Sequence, residues 1–205
     1  MQITHIISNL GDGGTEKVLF NICKYDHKNK HIVICLKDSG KYHLLLTQLG
    51  IKVHFIRMNL FSLYKFVTLV RTLKNLKPDI VQTWLPHSDF IGGIAARLAG
   101  INRVVWNVRY SRINGVVKLR TIILINILSK LSNLIPKKII VVSKTALSNC
   151  VDLGYQSKKL NLVQNGYDLS IFNPFQKKNF IRKKFRIKDN IPVIGKVARY
   201  DLTKD

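Results

Sequence analysis

The chain has 205 residues, of which 46% are hydrophobic and 9% aromatic, so it can bury one good core and is not an intrinsically disordered segment. Lysine and arginine number 34 against 11 acidic residues, which gives a formal net charge of +23. This excess excludes a charge-balanced surface and predicts attraction to polyanions, namely nucleic acid, anionic lipid or phosphorylated substrates. A basic, solvated surface without a dedicated partner would explain the same charge.

Neither the first residues nor any later stretch is typical of a membrane-inserted segment. Residues 1–14 have neither a cationic leader nor a long apolar core, so we expect no signal peptide. The longest apolar stretch, residues 116–135, is interrupted by charged side chains and falls short of the ~20 apolar residues that span a bilayer. The three cysteines, Cys23, Cys35 and Cys150, lack metal-ligand spacing and are typical of small core residues in a reducing compartment.

Short apolar runs alternate with helical patterns along most of the chain. Because strands that alternate with helices pair in parallel through right-handed crossovers, we predict an α/β fold with a doubly wound, Rossmann-like parallel sheet. The predicted strands are residues 3–7, 32–36, 53–56, 80–83, 103–108, 139–142 and 160–164. The predicted helices between them are residues 16–24, 42–49, 60–76, 90–99, 116–134 and 144–153.

The segment from residue 137 to 174 is the most informative part of the sequence. A continuous apolar run predicts a strand buried on both faces, and Ser143 offers a hydroxyl that can cap the following helix. Gly154 is expected to end that helix. After the seventh strand, Asn165 and Gly166 tolerate positive φ, so we predict a sharp turn there.

A glycine-rich loop, residues 11–16, follows the first strand and opens the first helix. Glycines at this place let a ligand approach the backbone, and the free N–H groups at the helix start favour an anion. The loop is not a dinucleotide-binding fingerprint, because Glu16 stands where the third glycine would be. A tight strand-to-helix turn without a ligand is the alternative explanation.

Two polar side chains are expected at the same edge of the sheet. His87 follows the fourth strand and Arg109 ends the fifth, and ligands of open α/β sheets bind outside the carboxyl ends of the strands. The planar guanidinium of Arg109 could hold a phosphate or a carboxylate. Both residues could instead be ordinary solvated surface positions.

Basic segments with interleaved apolar residues leave several partners open. Residues 177–188 hold seven cations, which could contact RNA or lipid, although we favour an interdomain helix whose apolar residues pack back on the protein. The predicted helices over 60–76 and 116–134 could likewise lie on an anionic membrane, but such helices more often pack on the sheet. Residues 191–197 are predicted to begin a new buried strand.

Taken together, these motifs resemble the N-terminal half of the family-4 retaining glycosyltransferases, which have the GT-B fold. The resemblance covers residues 3–205. It rests on the Gly-Gly-x-Glu pattern at 13–16, on the FIGGIAARLAG helix after the loop of His87, and on the Asn-Gly-x-Asp…Phe-x-Pro pattern at 165–174. An Arg and a Lys five residues apart near the C-terminus also match the start of the second GT-B domain.

The resemblance implies a role for each matching residue. His87 would be the catalytic residue, reaching the reacting sugar to orient it and the acceptor rather than acting as a general base. The other roles implied are a cleft loop near the acceptor at Gly13, Gly14, Glu16 and Arg109, a hinge at Asn165, Gly166 and Asp168, and a clamp on the donor diphosphate at Arg199 and Lys204. No metal site and no cofactor are expected, and the donor would be a nucleotide-diphosphate sugar.

The resemblance also implies a domain organisation and an activity. Residues 1–174 would be the acceptor-side domain, 175–190 a basic connector, and 191–205 the start of a truncated donor-binding domain. The implied activity is sugar transfer to a lipid-linked or surface-polysaccharide acceptor of the lipopolysaccharide or capsule type. We expect a cytoplasmic location, either free or peripheral on the inner face of the membrane. The chain would then be a fragment that is inactive without its missing C-terminal half.

Two other functions are compatible with the sequence. The charge of +23 would suit a basic nucleic-acid-binding protein, although no helix-turn-helix, zinc or RNP-type pattern supports this. A non-catalytic module that binds an acceptor or a membrane, derived from a transferase, is the third interpretation.

Overall fold

A computed structural model describes residues 1–58, 62–109, 119–173 and 180–195 of the chain. These residues fall into two units, residues 1–164 and 165–205. Of the sequence-based site predictions, Arg199 and Lys204 lie outside the described residues, and so does Pro174 of the predicted turn.

The larger unit is built on a seven-stranded parallel sheet with the strand order β3-β2-β1-β4-β5-β6-β7. This confirms the predicted doubly wound, Rossmann-like fold. The strands are β1 (Gln2–Ile7), β2 (Lys30–Cys35), β3 (Lys52–Phe55), β4 (Ile80–Trp84), β5 (Val104–Val108), β6 (Lys138–Val141) and β7 (Leu160–Leu162). The helices are α1 (Gly14–Tyr25), α2 (Lys41–Gln48), α3 (Leu63–Leu76), α4 (Pro86–Leu98), α5 (Leu119–Leu131) and α6 (Lys144–Asp152).

Two apolar clusters pack on the sheet, as expected for parallel strands that are covered on both faces. One cluster includes Ile7, Trp84 and residues of α1 and α2; the other includes Ile6, Trp106 and residues of the later helices. Helix α4 lies especially close to the sheet, because a Cβ atom on Gly92 would meet Ile6 and Thr83 side-chain atoms at 3.0–3.1 Å. The close fit of α4 fixes the position of the loop that precedes it.

The predicted boundaries of α6 are confirmed by its capping contacts. The Ser143 hydroxyl accepts a hydrogen bond from the backbone N–H of Ala146 at 3.1 Å. At the other end Gly154 adopts φ 82°, and the next residue, Tyr155, donates its N–H to the carbonyl of Cys150 at 2.9 Å. Local sequence chemistry therefore determines both ends of this helix.

The sharp turn predicted at Asn165 and Gly166 is wrong. Neither residue has a positive φ; the chain stays irregular through Asp168 and turns only afterwards. The carboxylate of Asp168 accepts the backbone N–H of Ser170 at 3.0 Å, and the carbonyl of Asp168 accepts the N–H of Phe172 at 2.9 Å. An aspartate that bonds the backbone two residues ahead is itself a strong turn signal, and it prevails here over the Asn-Gly pair.

The smaller unit contains one short helix among its described residues, α7 (Phe180–Phe185), which falls within the predicted basic segment. Its Phe180 and Phe185 side chains are exposed and both lie near the Lys184 ammonium, so the expected packing of the apolar residues is not seen there. The strand predicted to begin at residue 191 is also wrong for residues 191–195, which are irregular. A strand needs a bonded neighbour, and the described part of this unit contains no other strand.

Candidate functional site at the carboxyl edge of the sheet

The candidate site lies where β1 and β4 are neighbours and the chain leaves them in opposite directions along the sheet. Open α/β sheets bind ligands at this switch point, outside the carboxyl ends of the strands. The two loops that leave β1 and β4 contact each other, because Ser8 Oγ and Ser88 Oγ lie 2.9 Å apart. The segment that leads into the glycine loop therefore contacts the first turn of α4, next to His87.

The glycine loop is held by Glu16 from inside the molecule. Gly13 is the N-cap of α1, and Glu16 is buried with its carboxylate so close to Gly13 that a Cβ atom there would overlap Oε2. A carboxylate at this place complements the positive end of the helix. Gly14, by contrast, faces open space, so it is the position of the loop that is open to a ligand.

A second glycine, which the sequence analysis missed, supports the same loop. Gly40 precedes α2, and a Cβ atom on it would lie 2.5 Å from the carbonyl oxygen of Leu10. The backbone N–H of Tyr42 donates to that same carbonyl at 3.1 Å. The β2–α2 connection therefore packs directly against the glycine loop, and the signal was invisible because the two segments are far apart in sequence.

His87 is presented by an unusual backbone. Leu85, the N-cap of α4, has φ 74° and ψ 156°, a conformation that is almost confined to glycine, and Pro86 follows as the first helical residue. His87 itself is exposed. The surrounding protein, with a further contribution from the positive charge of Lys37, lowers the pKa of His87 below its usual 6.5. The imidazole is therefore mostly neutral at pH 7.

Asp89 joins three elements beside this loop, and sequence reasoning did not find it. The residue lies on α4 and is 1% exposed. Its carboxyl group accepts hydrogen bonds from the Thr83 hydroxyl on β4 and from the backbone of Asn107 on β5. No spacing rule connects these three residues, so only the folded arrangement shows that Asp89 anchors the start of α4.

Arg109 lies at the carboxyl end of β5, as predicted, and stacks on an aromatic ring. Its guanidinium carbon is 5.0 Å from the centre of the Trp84 ring. Partial burial lowers the pKa of Arg109 to about 10, so the side chain remains positively charged at pH 7. A cation is therefore held at the same edge as His87 and the glycine loop.

The hinge residues predicted from the sequence lie outside the larger unit. Asn165, Gly166 and Asp168 belong to the other unit, and their hinge role stays a prediction. Two clefts of about 360 and 460 Å³ open at the amino edge of the sheet, one beside Pro78 and Gly100 and one beside Lys30. Neither of these two clefts is lined by His87 or Arg109.

One buried group among the described residues has potential metal ligands, and the sequence did not predict it. Atoms of His5, Cys23 and His31 lie within 4.8 Å of one another, on β1, α1 and β2. The indole N–H of Trp84 donates to His5 Nδ1, so the proton of neutral His5 is on Nε2, the atom that faces His31. Burial raises the pKa of the Cys23 thiol to about 12. A protonated ring nitrogen and a protonated thiol are poor ligands, so this arrangement disfavours a metal.

None of the described helices is both long enough and apolar enough to cross a membrane.

A protein-family model matches most of the chain. The model of Glycosyltransferase Family 4 covers residues 12–171, a range that includes Gly13, Gly14, His87 and Arg109. The capsular polysaccharide biosynthesis glycosyltransferase CapH of Staphylococcus aureus is 27% identical over 192 residues, covering 88% of this chain and 50% of that protein. This chain therefore spans about half the length of the relatives it matches.

Solved structures show the same fold at low sequence identity. HepE from Anabaena, in complex with UDP-glucose, has a TM-score of 0.74 and 17% identity, covering 93% of this chain and 51% of that one. The lipopolysaccharide outer core galactosyltransferase WaaB has a TM-score of 0.60 and 17% identity, covering 82% of this chain and 47% of that one. Because the family model matches most of this chain, the chain belongs to glycosyltransferase family 4.

Proposed function

We propose that this chain is the acceptor-side part of a retaining glycosyltransferase that moves a sugar from a nucleotide-diphosphate donor to a lipid-linked or polysaccharide acceptor. The observation that carries the proposal is that the glycine loop, His87 and Arg109 share one sheet edge and all lie within the family match. CapH is named for capsular polysaccharide biosynthesis, and HepE has been solved with UDP and with UDP-glucose. These relatives favour a UDP-sugar donor and a glycan acceptor.

His87 is proposed to orient the sugar and the acceptor rather than to remove a proton. Its lowered pKa keeps the ring neutral at pH 7, so one nitrogen can donate to a sugar oxygen and the other can accept from a hydroxyl. In this mechanism the leaving diphosphate takes the acceptor proton. The donor diphosphate would be held by Arg199 and Lys204, which would stabilise the charge that develops as the glycosidic bond breaks.

Arg109 is proposed to bind an anionic group of the acceptor, such as a lipid diphosphate. Its guanidinium is charged, half-buried and fixed on the Trp84 ring, which favours a defined geometry over a solvated surface cation. The basic surface of the chain would add long-range attraction for such an acceptor.

We propose that catalysis also needs a donor-binding half in addition to these residues. The boundaries that we propose are an acceptor-side domain over 1–174, a connector over 175–190 and the start of a donor-binding domain from 191. Purified chain, incubated with UDP-glucose and a prenyl-diphosphate saccharide, is expected to give no transfer. Turnover by the 205-residue chain alone would contradict the proposal that the donor-binding half is required.

A cytoplasmic-face location is proposed from exposed apolar side chains next to cations. Leu63 and Tyr64 at the start of α3 are 76% and 72% exposed, and Lys65 follows them. Co-sedimentation with anionic and with neutral vesicles tests this. Binding to anionic vesicles that is lost in the double variant Leu63→Ser/Tyr64→Ser supports the location, and binding that is equal on both vesicle types contradicts it.

The acceptor-binding role is tested by titrating the chain with a short-chain prenyl diphosphate. Arg109→Met is expected to weaken binding about tenfold, because one charge-assisted contact is lost. Arg103→Met is the matched control, since Arg103 is an exposed arginine just before the opposite end of the same strand. Equal effects of the two substitutions would contradict a specific role for Arg109. Tight oligonucleotide binding that persists at physiological salt would instead favour the nucleic-acid interpretation.

A further inference from the structure

A buried line of hydrogen-bonding groups crosses the larger unit and ends beneath the candidate site. Trp84 Nε1 lies 3.3 Å from His5 Nδ1, and His5 Nε2 lies 3.0 Å from His31 Nδ1. At the far end, His31 Nε2 is 3.3 Å from Asp26 Oδ2, which is within ion-pair distance. Trp84 and His5 are completely buried, and the four residues come from β4, β1, β2 and the end of α1.

The direction of the proton donors along this line follows from its first member. An indole N–H can only donate, so His5 Nδ1 must accept, and the proton of neutral His5 is on Nε2. That proton points to His31 Nδ1, so the proton of neutral His31 is on its Nε2 and faces the Asp26 carboxylate. Trp84 therefore donates to His5, and His5 donates to His31. The His31 Nε2 atom lies within ion-pair distance of Asp26 but makes no hydrogen bond to it.

At its Trp84 end, the line of hydrogen-bonding groups reaches the candidate site. The Trp84 ring that donates at its edge to His5 carries the Arg109 guanidinium over its face, 5.0 Å from the ring centre. A bond at the edge restricts rotation of the indole, and the orientation of the indole determines where the stacked cation lies. Because the Trp84 indole contacts both residues, it can transmit an effect of His5 to Arg109.

We propose that His5 is a positioning residue for the carboxyl-edge site, which fixes the Trp84 indole and thereby the Arg109 guanidinium. Its effect on acceptor binding rests on the role proposed above for Arg109. Its effect on the indole and on the guanidinium does not, because both can be measured without any ligand.

Histidine is suited to this position because it presents an acceptor and a donor at opposite sides of one small ring. Leucine would leave the Trp84 N–H and His31 Nδ1 buried without partners. Protonation of His5 would put a hydrogen on Nδ1, so that this N–H and the Trp84 indole N–H would point at each other. Burial, with the neighbouring His31 contributing, lowers the pKa of His5 to about 3, which agrees with a permanently neutral ring.

Nuclear magnetic resonance on the ¹⁵N-labelled chain tests the arrangement directly. The chain has two tryptophans, so two indole N–H signals are expected, and Trp106→Phe identifies the one from Trp84. We expect His5 to show the Nε2–H tautomer and not to titrate between about pH 5 and pH 8. An Nδ1–H tautomer, or a His5 resonance that shifts on addition of Zn²⁺, would overturn the proposal.

Two substitutions separate positioning from mere folding. His5→Gln keeps one acceptor and one donor, and is expected to retain the Trp84 indole signal, the Arg109 Nε–H signal and the affinity for a short-chain prenyl diphosphate. His5→Leu removes both, and is expected to shift both signals, to speed exchange of the indole hydrogen and to weaken prenyl diphosphate binding several-fold. His54→Leu changes a partly buried histidine of β3; it is the control and should leave both signals in place.

The outcomes distinguish this proposal from the proposed function. Unchanged Trp84 and Arg109 signals in His5→Leu would overturn the positioning role, whatever happens to affinity. Shifted signals together with full affinity, while Arg109→Met loses affinity, would also overturn it. If Arg109→Met binds normally, the proposed acceptor role fails, and the two signals in His5→Leu still decide the positioning role. If His5→Leu does not fold, the wild-type tautomer and His5→Gln decide it.

Discussion

Thr83 Oγ1 donates to Asp89 Oδ1 at 2.5 Å, which joins the end of β4 to the first turn of α4 inside the protein. The same carboxyl group accepts a hydrogen bond from the backbone of Asn107 on β5. Burial raises the pKa of Asp89 well above its usual value of 3.8, and it outweighs these hydrogen bonds, which favour the charged form. The helix that presents His87 is thus joined to two strands by a buried carboxyl group whose pKa is raised.

Replacing Asp89 should therefore have a pH-dependent effect on stability. Because the folded state holds the proton more tightly than the unfolded state, the wild-type free energy of unfolding should fall as pH rises from about 4 towards the folded pKa. Asp89→Asn cannot titrate, so its stability relative to wild type should improve from pH 5 to pH 8 in urea unfolding. Asp89→Ala should lose about 2–4 kcal/mol at pH 5, because it leaves buried donors without acceptors, and less at pH 8, because alanine does not titrate either. A constant difference between wild type and Asp89→Asn would contradict the raised pKa.

The sheet and its carboxyl-edge loops could be predicted from sequence because each strand and helix carries its own signal. The residues that hold the site together could not be predicted in this way. Asp89 contacts Asn107, and His5 contacts His31 and Trp84, across strand crossovers that separate them in sequence. Such contacts depend on strand order and register. These are seen in the folded structure but cannot be deduced from local patterns in a single sequence.

Leu85 offers a test of backbone strain next to His87. Its φ of 74° and ψ of 156° favour glycine, and the following Pro86 restricts it further to extended ψ. Leu85→Gly should therefore be more stable than Leu85→Ala by about 1–2 kcal/mol in thermal or urea unfolding, although both lose the same packing of the leucine side chain. Alanine is the matched control, because it removes the side chain and keeps the backbone restriction. Equal stability of the two variants would show that the backbone is not strained there.

The neutral state of His87 should depend on a lysine from a neighbouring loop. The protein around the ring is the main reason for its lowered pKa, and the positive charge of Lys37, which follows β2, adds to it. Lys37→Met should raise the pKa of His87 partway towards 6.5, as measured by NMR titration. Lys30→Met, at the amino end of the same strand, is the control and should not change it. An unchanged pKa in Lys37→Met would show that the charge of Lys37 does not contribute to the lowered pKa of His87.

Gly13 and Gly14 are adjacent but should respond very differently to alanine. A Cβ atom on Gly13 would overlap the Glu16 carboxylate, whereas one on Gly14 would meet no atom within 4 Å. We expect Gly13→Ala to cost about 1 kcal/mol or more, and Gly14→Ala to be neutral or to stabilise the helix by up to ~1 kcal/mol. A double-mutant cycle with Glu16→Ala should give a coupling energy for Gly13 and none for Gly14, because only the first position contacts the carboxylate. Equal coupling at both positions would show that Glu16 acts on the helix as a whole, and not through its contact with Gly13.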